Sequence, residues 1–205
     1  MSARLRGLYA ITDSTLLSDG RLLTAAEQAI LGGACILQYR DKSSDRSRRQ
    51  QQSQLLLTLC RQHGVTFIIN DDVTLAAAIG ADGVHLGRDD GDIATARRTL
   101  GGGIIGISCY NQWPLAEAAV AAGADYIAFG AFFPSATKPN AVRASPELLE
   151  RCRRELTVPV VAIGGITPAN GRELIEAGAD MLAVVQGVFA QANIQAAAHR
   201  YAALF

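Results

Sequence analysis

The chain has 205 residues, enough for one sizeable core and most simply one domain. Lysine plus arginine equals aspartate plus glutamate at 19 each, so the formal charge is zero and nothing points to nucleic acid or an acidic membrane surface, while small phosphorylated ligands, which need only a few placed cations, stay open. No apolar run reaches the roughly 20 residues of a membrane helix, the segment Met1 to Gly7 has no signal-peptide pattern, and Cys35, Cys60, Cys109 and Cys152 form no Cys-x-x-Cys pair, so a cytoplasmic protein with reduced thiols, without a zinc site or disulfide framework, is expected.

The first strand is Leu8-Tyr9-Ala10-Ile11, followed by a helix over Leu22 to Leu31 with Leu22, Leu23, Ala26, Ile30 and Leu31 in an approximate helical stripe. Gly33-Ala34-Cys35 leads into Ile36-Leu37, and the second helix, Arg46 to His63, ends at the capping glycine Gly64. Thr66 to Ile69 is the third strand and Val73 to Ile79 the third helix. Gly80-Ala81-Asp82 then introduces the strand Gly83-Val84-His85-Leu86 and a helix over Ile93 to Leu100. Ile104 to Ile107 is the fifth strand and Pro114 to Ala122 the next helix, before Gly123-Ala124-Asp125 and the strand Tyr126-Ile127-Ala128-Phe129. An irregular stretch, Phe133 to Ala144, has the small polar residues and prolines of a long loop or lid. Pro146 to Leu156, Val158 to Ile163 and Pro168 to Ala177 read as helix, strand and helix, with prolines near helix starts. Gly178-Ala179-Asp180 precedes the last strand, Met181 to Val184, and the last helix, Val188 to Leu204.

The recurring Gly-Ala-Asp tripeptide, with cysteine in its first copy, has glycines spaced by 47, 43 and 55 residues. That is about two strand–helix units per copy. Eight short strands alternating with helices predict an α/β fold, a single-domain (β/α)8 TIM barrel over residues 1–205 with short connections. The tripeptide ends a helix and turns the chain into a strand. Its aspartates fall at the N-terminal ends of strands, the stability face of a barrel, and are read as structural.

Chemistry belongs at the other strand ends. Strand two ends in Gln38-Tyr39-Arg40-Asp41-Lys42, where Gln38, Arg40 and Lys42 share one face and suit an anion; a solvated loop start with an Arg–Asp pair would look the same. Strand three ends in Asn70-Asp71-Asp72 and strand four in Gly87-Arg88-Asp89-Asp90. Carboxylates from neighbouring strand ends can share Mg²⁺, but helix N-caps at Asp71 or Asp72 and at Asp90 are the competing reading, and spacing does not say which aspartate of each pair faces the mouth. His85 reads as a hydrogen-bonded interior residue. Ser108 ends strand five, and Ser135, Thr137 and Lys138 follow strand six. Gly164-Gly165-Ile166-Thr167-Pro168 and Val185-Gln186-Gly187 follow strands seven and eight, where barrels of this kind cradle phosphate on backbone N–H groups.

Over essentially its whole length the chain resembles the thiamine-phosphate synthase (thiamine-phosphate pyrophosphorylase) family. The resemblance rests on Leu8 to Asp13, Gln38 to Lys42, Asn70-Asp71, Gly80 to Gly87, Pro134-Ser135-Ala136-Thr137-Lys138 and Ala162-Ile163-Gly164-Gly165-Ile166, in that order. It implies a transferase that joins 4-amino-2-methyl-5-hydroxymethylpyrimidine diphosphate to 4-methyl-5-(2-phosphoethyl)thiazole with loss of pyrophosphate. It implies pyrimidine diphosphate on Gln38, Tyr39, Arg40, Asp41, Lys42, Asn70, Ser108 and Lys138, of which Arg40, Lys42, Ser108 and Lys138 would act in catalysis. It implies one Mg²⁺ on Asp71 and Asp90, with Asp89 as the competing ligand, and thiazole phosphate on Ser135, Ala136, Thr137, Gly165, Val185 and Gln186. The implied partners are these small molecules, with no nucleic acid and no membrane; a homo-oligomer is left open.

The chain departs from the family pattern at three places. Gln186 stands where many relatives have a hydroxyl, Tyr110 where many have a histidine, and Arg88-Asp89 where a Gln-Glu pair is commoner. Two rival readings are a related thiazole tautomerase, which would need a general acid/base histidine near the mouth, and a non-catalytic barrel that binds a phosphorylated ligand.

Overall fold

A computed structural model of the chain describes residues 5–17, 20–134 and 142–205. The strands are β1 (Gly7–Ile11), β2 (Ala34–Tyr39), β3 (Thr66–Asn70), β4 (Gly83–Leu86), β5 (Ile104–Tyr110), β6 (Tyr126–Phe129), β7 (Val160–Ile163) and β8 (Met181–Val184). Each pairs in parallel with the next, and β8 closes on β1, giving the expected eight-stranded barrel. The helices are α1 (Leu22–Leu31), α2 (Arg46–His63), α3 (Val73–Ile79), α4 (Ile93–Leu100), α5 (Trp113–Ala121), α6 (Pro146–Glu155), α7 (Gly171–Ala177), α8 (Gln186–Phe189) and α9 (Ile194–Ala202).

The alternation of a strand sorts the apolar residues into two cores. Tyr9, Ile11, Ile36, Ile68, Tyr126, Ala128, Val161, Met181 and Ala183 fill the barrel. The residues between them, such as Leu8, Leu37, Phe67, Val84, Ile127 and Leu182, pack outward against the helices. Inward positions nearer the C-terminal ends carry polar groups instead, and the site is built there.

The Gly-Ala-Asp copies brace the opposite face. Their glycines, Gly33, Gly80, Gly123 and Gly178, all have positive φ, the helix-ending conformation that glycine adopts without strain. Each aspartate then accepts a backbone N–H from the start of the strand before its own. Phe67 N donates to Asp82, Ile105 N to Asp125 and Val160 N to Asp180, at 2.7, 2.8 and 3.0 Å. In the first copy the Cys35 thiol takes that place against the Leu8 backbone. The repeat therefore ties strands in odd–even pairs.

Several boundaries differ from the sequence reading, and three have a visible cause. α7 starts at Gly171 because Thr167 and Asn170 hydrogen-bond each other into a separate turn. The last helix is two pieces, since the Asn193 side chain accepts from Ala196 N and starts α9 afresh. β7 begins only after Pro159, which has no N–H for the ladder.

Candidate active site

A cavity of about 660 Å³ opens at the C-terminal ends of the strands. Its walls include Gln38 of β2 and Arg40 just after it, which strand alternation put on one face, together with Asn70 of β3, His85 of β4 and Ser108 of β5. The far wall is Gly164, Gly165, Val185 and Gln186.

On the β2 side the guanidinium of Arg40 lies 3.4 Å from Asp13. Burial alone would raise the Asp13 carboxyl, but the Thr15 hydroxyl and N–H, together with Arg40, outweigh it and hold it below the usual range. Lys42 contacts Asp71. The parity that points Gln38 and Arg40 into the barrel points Tyr39 and Asp41 out. The Tyr39 hydroxyl donates to Gln52 of α2, and Asp41 is held by Ser43 and by Arg48 at 3.1 Å. The side chains of these two expected substrate contacts therefore face α2, and neither lines the cavity.

The structure separates the aspartate doublets. Asp72 is the N-cap of α3, accepting from Leu75 N at 2.8 Å, and pairs with Arg49. Asp92, and not Asp90, caps α4. Asp71 follows Asn70 in the left-handed region, φ 64°, an uncommon conformation for a side-chain-bearing residue. Its carboxylate meets both Lys42 and Asp90. Burial raises the Asp71 carboxyl, Lys42 opposes that shift, and the neighbouring Asp90 carboxylate adds to it, with a net rise. Asp90 is fixed by Gly87 N at 2.8 Å. Asp89 is exposed. Two facing carboxylates, one anchored by a backbone N–H, are the hard oxygen donors that a magnesium ion shares with waters and phosphate oxygens.

Gly164 and Gly165 both have positive φ. The turn after them is locked by Asn170, whose amide donates to Gly165 O at 3.2 Å, and by Tyr201, whose hydroxyl donates to Ile166 O at 3.0 Å. A Cβ on Gly165 would run into the backbone of Phe133 and Pro134. The chain after β6 is thus what a side chain at Gly165 would have to clear. Gln186 is the first residue of α8, which is a single turn long. Ser135, Ala136, Thr137 and Lys138 lie outside the described residues.

Sequence reasoning missed a polar chain across the floor of the cavity. Gln38 Nε2 donates to the Tyr9 hydroxyl at 2.7 Å, and the Tyr9 and Tyr126 hydroxyls share a 2.8 Å bond. Tyr126 Oη is 3.0 Å from His85 Nδ1, and His85 Nε2 is 2.8 Å from Ser108 Oγ. His85 is the hydrogen-bonded interior residue expected, and its ring also borders the cavity. One signal was available: Gly106, a glycine inside a strand, marks a close approach, and the Tyr126 ring occupies the space its Cβ would need. Tyr110 was noted only as a departure. It also has positive φ, and its hydroxyl accepts from Arg88 N at 3.3 Å while the Arg88 guanidinium lies 5.0 Å from its ring centre.

Known proteins resemble this chain over nearly its whole length. Residues 8–188 match the family model described as thiamine monophosphate synthase. A thiamine-phosphate synthase of Nitrosococcus oceani is 52% identical over 202 residues, covering 98% of this chain and 93% of that protein. One from Aromatoleum aromaticum is 54% identical over 203 residues, covering 98% and 97%. The solved structure of a thiamine phosphate pyrophosphorylase from Pyrococcus furiosus superposes with a TM-score of 0.87 at 32% identity, covering 97% of this chain and 94% of that one. With its eight-stranded barrel, its paired mouth aspartates and these relatives over nearly its full length, the chain belongs to the thiamine monophosphate synthase family.

Proposed function

We propose that the chain is a thiamine-phosphate synthase, a transferase that joins the thiazole nitrogen of 4-methyl-5-(2-phosphoethyl)thiazole to the methylene carbon of the aminopyrimidine diphosphate and releases pyrophosphate. The observation that carries the reading is the convergence of Lys42, Asp71 and Asp90, from the segments that follow β2, β3 and β4, next in sequence to Arg40 and Asn70, which line the cavity. Cations and a carboxylate pair at one rim are what a departing diphosphate requires.

In this reading Gln38, Asn70 and Ser108 hold the pyrimidine ring, and Arg40 and Lys42, with Lys138, hold the diphosphate. The bond that breaks joins the methylene carbon to the diphosphate oxygen, and its electron pair leaves with pyrophosphate. Positive charge grows on the methylene, where the electron-rich aminopyrimidine bears it, and the thiazole nitrogen lone pair forms the new bond. No side-chain nucleophile is needed. Fixed guanidinium and ammonium groups stabilise the negative charge that develops on the leaving oxygens. Asp71 and Asp90 would hold Mg²⁺, which supplies further charge neutralisation at the diphosphate. Gly165, Val185 and Gln186, with Ser135, Ala136 and Thr137, hold the thiazole phosphate at the other end of the cavity.

The test is direct. Purified protein is incubated with both substrates, with and without Mg²⁺, and thiamine phosphate and pyrophosphate are measured. Equimolar products that disappear on chelation are expected. Isomerised thiazole with the pyrimidine diphosphate unconsumed would instead favour the tautomerase, and binding without product would favour the non-catalytic barrel.

A further inference from the structure

The cavity wall is not made by strand ends alone. It also takes in Gln191, Arg200 and Tyr201, from α9 and the segment that leads to it. Local contacts fix that helix against the β7–β8 side. The Tyr201 hydroxyl donates to Ile166 O at 3.0 Å. A Cβ on Gly187 would overlap that hydroxyl, so the glycine leaves the space through which Tyr201 reaches the turn after β7. Gln191 Nε2 donates to Gln186 O at 3.3 Å and ties α8 to the stretch before α9. At the end of α1, Gly32 lies so close to Gln195 O and Ala198 that a Cβ there would collide with both. Arg200, the neighbour of Tyr201, is thereby carried to the cavity.

Charge is sparse along this wall. Among the described residues that line the cavity, the only lysines or arginines are Arg40, just after β2, and Arg200, on the β7–β8 side. Arg40 faces Asp13. Arg200 is exposed and makes no ion pair among the described residues, so no carboxylate of the fold uses its charge. A phosphate monoester carries about −1.5 to −2 charges at neutral pH. Backbone N–H groups offer it hydrogen bonds but no full charge, and they would serve a neutral oxygen as well. A guanidinium adds a permanent charge and a planar fork of donors. One cation on each side of the cavity also draws two anionic substrates to opposite sides, with their rings between.

We infer that Arg200, held at the cavity by the Tyr201 tether, is a specificity-determining residue that pairs with the phosphate of the thiazole substrate and selects it over the unphosphorylated alcohol. The inference rests on the reading above that Gly165, Val185 and Gln186 hold that phosphate.

The test measures KM for the thiazole phosphate, and the inhibition constant of 4-methyl-5-(2-hydroxyethyl)thiazole as its competitor. Arg200→Gln is expected to raise KM for the thiazole phosphate about tenfold, the low end for a hydrogen bond to a charged group because the side chain is exposed. The phosphate keeps its charge through the reaction, so kcat at saturation is expected to hold. KM for the pyrimidine diphosphate, the inhibition constant of the alcohol and the melting temperature are expected to stay those of the wild type. Arg200→Lys, which keeps the charge and loses the fork, is expected to recover part of the loss. Added salt is expected to raise the wild-type KM more steeply than that of Arg200→Gln. An unchanged KM in Arg200→Gln, or an equal weakening of the phosphate and the alcohol, would overturn the inference. If the wild-type protein consumes no thiazole phosphate in the presence of the pyrimidine diphosphate and Mg²⁺, it is the reading of the site that fails.

Discussion

Aspartates mark both ends of this barrel, and their surroundings separate two uses of one side chain. At the N-terminal face Asp82, Asp125 and Asp180 each accept a backbone N–H from the preceding strand. Asp125 also receives Arg97 at 2.7 Å. These carboxylates are satisfied by the fold itself. At the mouth Asp71 faces a second carboxylate, and its pKa is raised by burial and by Asp90 against the pull of Lys42. That arrangement is poor for stability and useful for a cation. Where a carboxylate finds its partner, in the backbone or outside the protein, tells more about its role than its presence in a motif.

The sharpest way to break the comparison is to exchange the two costs. Asp71→Asn keeps the shape and tolerates the left-handed backbone, because asparagine visits that region readily. It is expected to lower kcat by a hundredfold or more, on the order of the loss when one fixed electrostatic contact to a transition state is removed. Thermal stability is expected to hold or rise, since one of two facing like charges is gone. Steady-state kinetics and a melting curve on one preparation check both halves. A mutant with wild-type turnover would remove Asp71 from the site.

At the opposite face Asp125→Ala and Asp180→Ala are expected to reverse that pattern. Each leaves a strand N–H without its acceptor, at a cost of about 1–3 kcal/mol. The Asp125 side chain is 41% exposed, so water can replace part of the loss and its value belongs at the low end. Urea denaturation gives the stability change, and kcat is expected to stay within about twofold, less than the tenfold that 1.4 kcal/mol would bring. A large loss of turnover with unchanged stability would mean that the two faces are not separate.

The barrel was legible because its signals are local. Gly-Ala-Asp announces every second strand, glycine follows helix after helix, and strand alternation separates Leu8 and Leu37 from Tyr9 and Ile36. The same alternation placed Gln38 and Arg40 on the cavity side. The choice between Asp71 and Asp72 was not legible, because it depends on a backbone turn at Asp71 whose N–H is held by His85 O, 14 residues on. The Tyr9–Tyr126 bond was hidden for the same reason, joining residues 117 positions apart. The break between α8 and α9 was missed because the periodicity of Val188 to Leu204 outweighed one capping asparagine, Asn193. Local chemistry predicts elements, and contacts between elements decide which side chains become a site.

A smaller effect is expected at Gln186, on the wall away from the aspartates. It opens α8, whose first N–H groups have no intrahelical acceptors. Backbone donors there would serve a phosphate whatever the side chain. Gln186→Ala is therefore expected to raise KM for the thiazole phosphate by less than about tenfold, or 1.4 kcal/mol, with the pyrimidine diphosphate unaffected. A rise above a hundredfold in a folded protein would make the amide a direct ligand.

The smallest expected effect tests the comparison at the copy that breaks the repeat. Cys35 stands where the other three copies have aspartate, and its thiol already lies against the Leu8 backbone. Gly7 leaves room beside it, since a Cβ on Gly7 would come within 2.8 Å of the thiol sulfur. Cys35→Asp would replace a weak acceptor with a carboxylate in the geometry that the other copies use for Phe67, Ile105 and Val160. A hydrogen bond of a backbone N–H to a charged acceptor contributes about 1.5–3 kcal/mol when well sheltered. Cys35 is exposed, so water competes for both partners and the gain is expected to fall below about 1 kcal/mol, within the range of an ordinary hydrogen bond. The measurement is the shift in urea midpoint at unchanged m-value, which isolates stability from compactness. Turnover is expected to be that of the wild type, since the substitution is at the face away from the cavity. A loss of stability would show that the first pair of strands is built differently from the other three, and that cysteine there is a packing choice and not a lapsed copy of the brace.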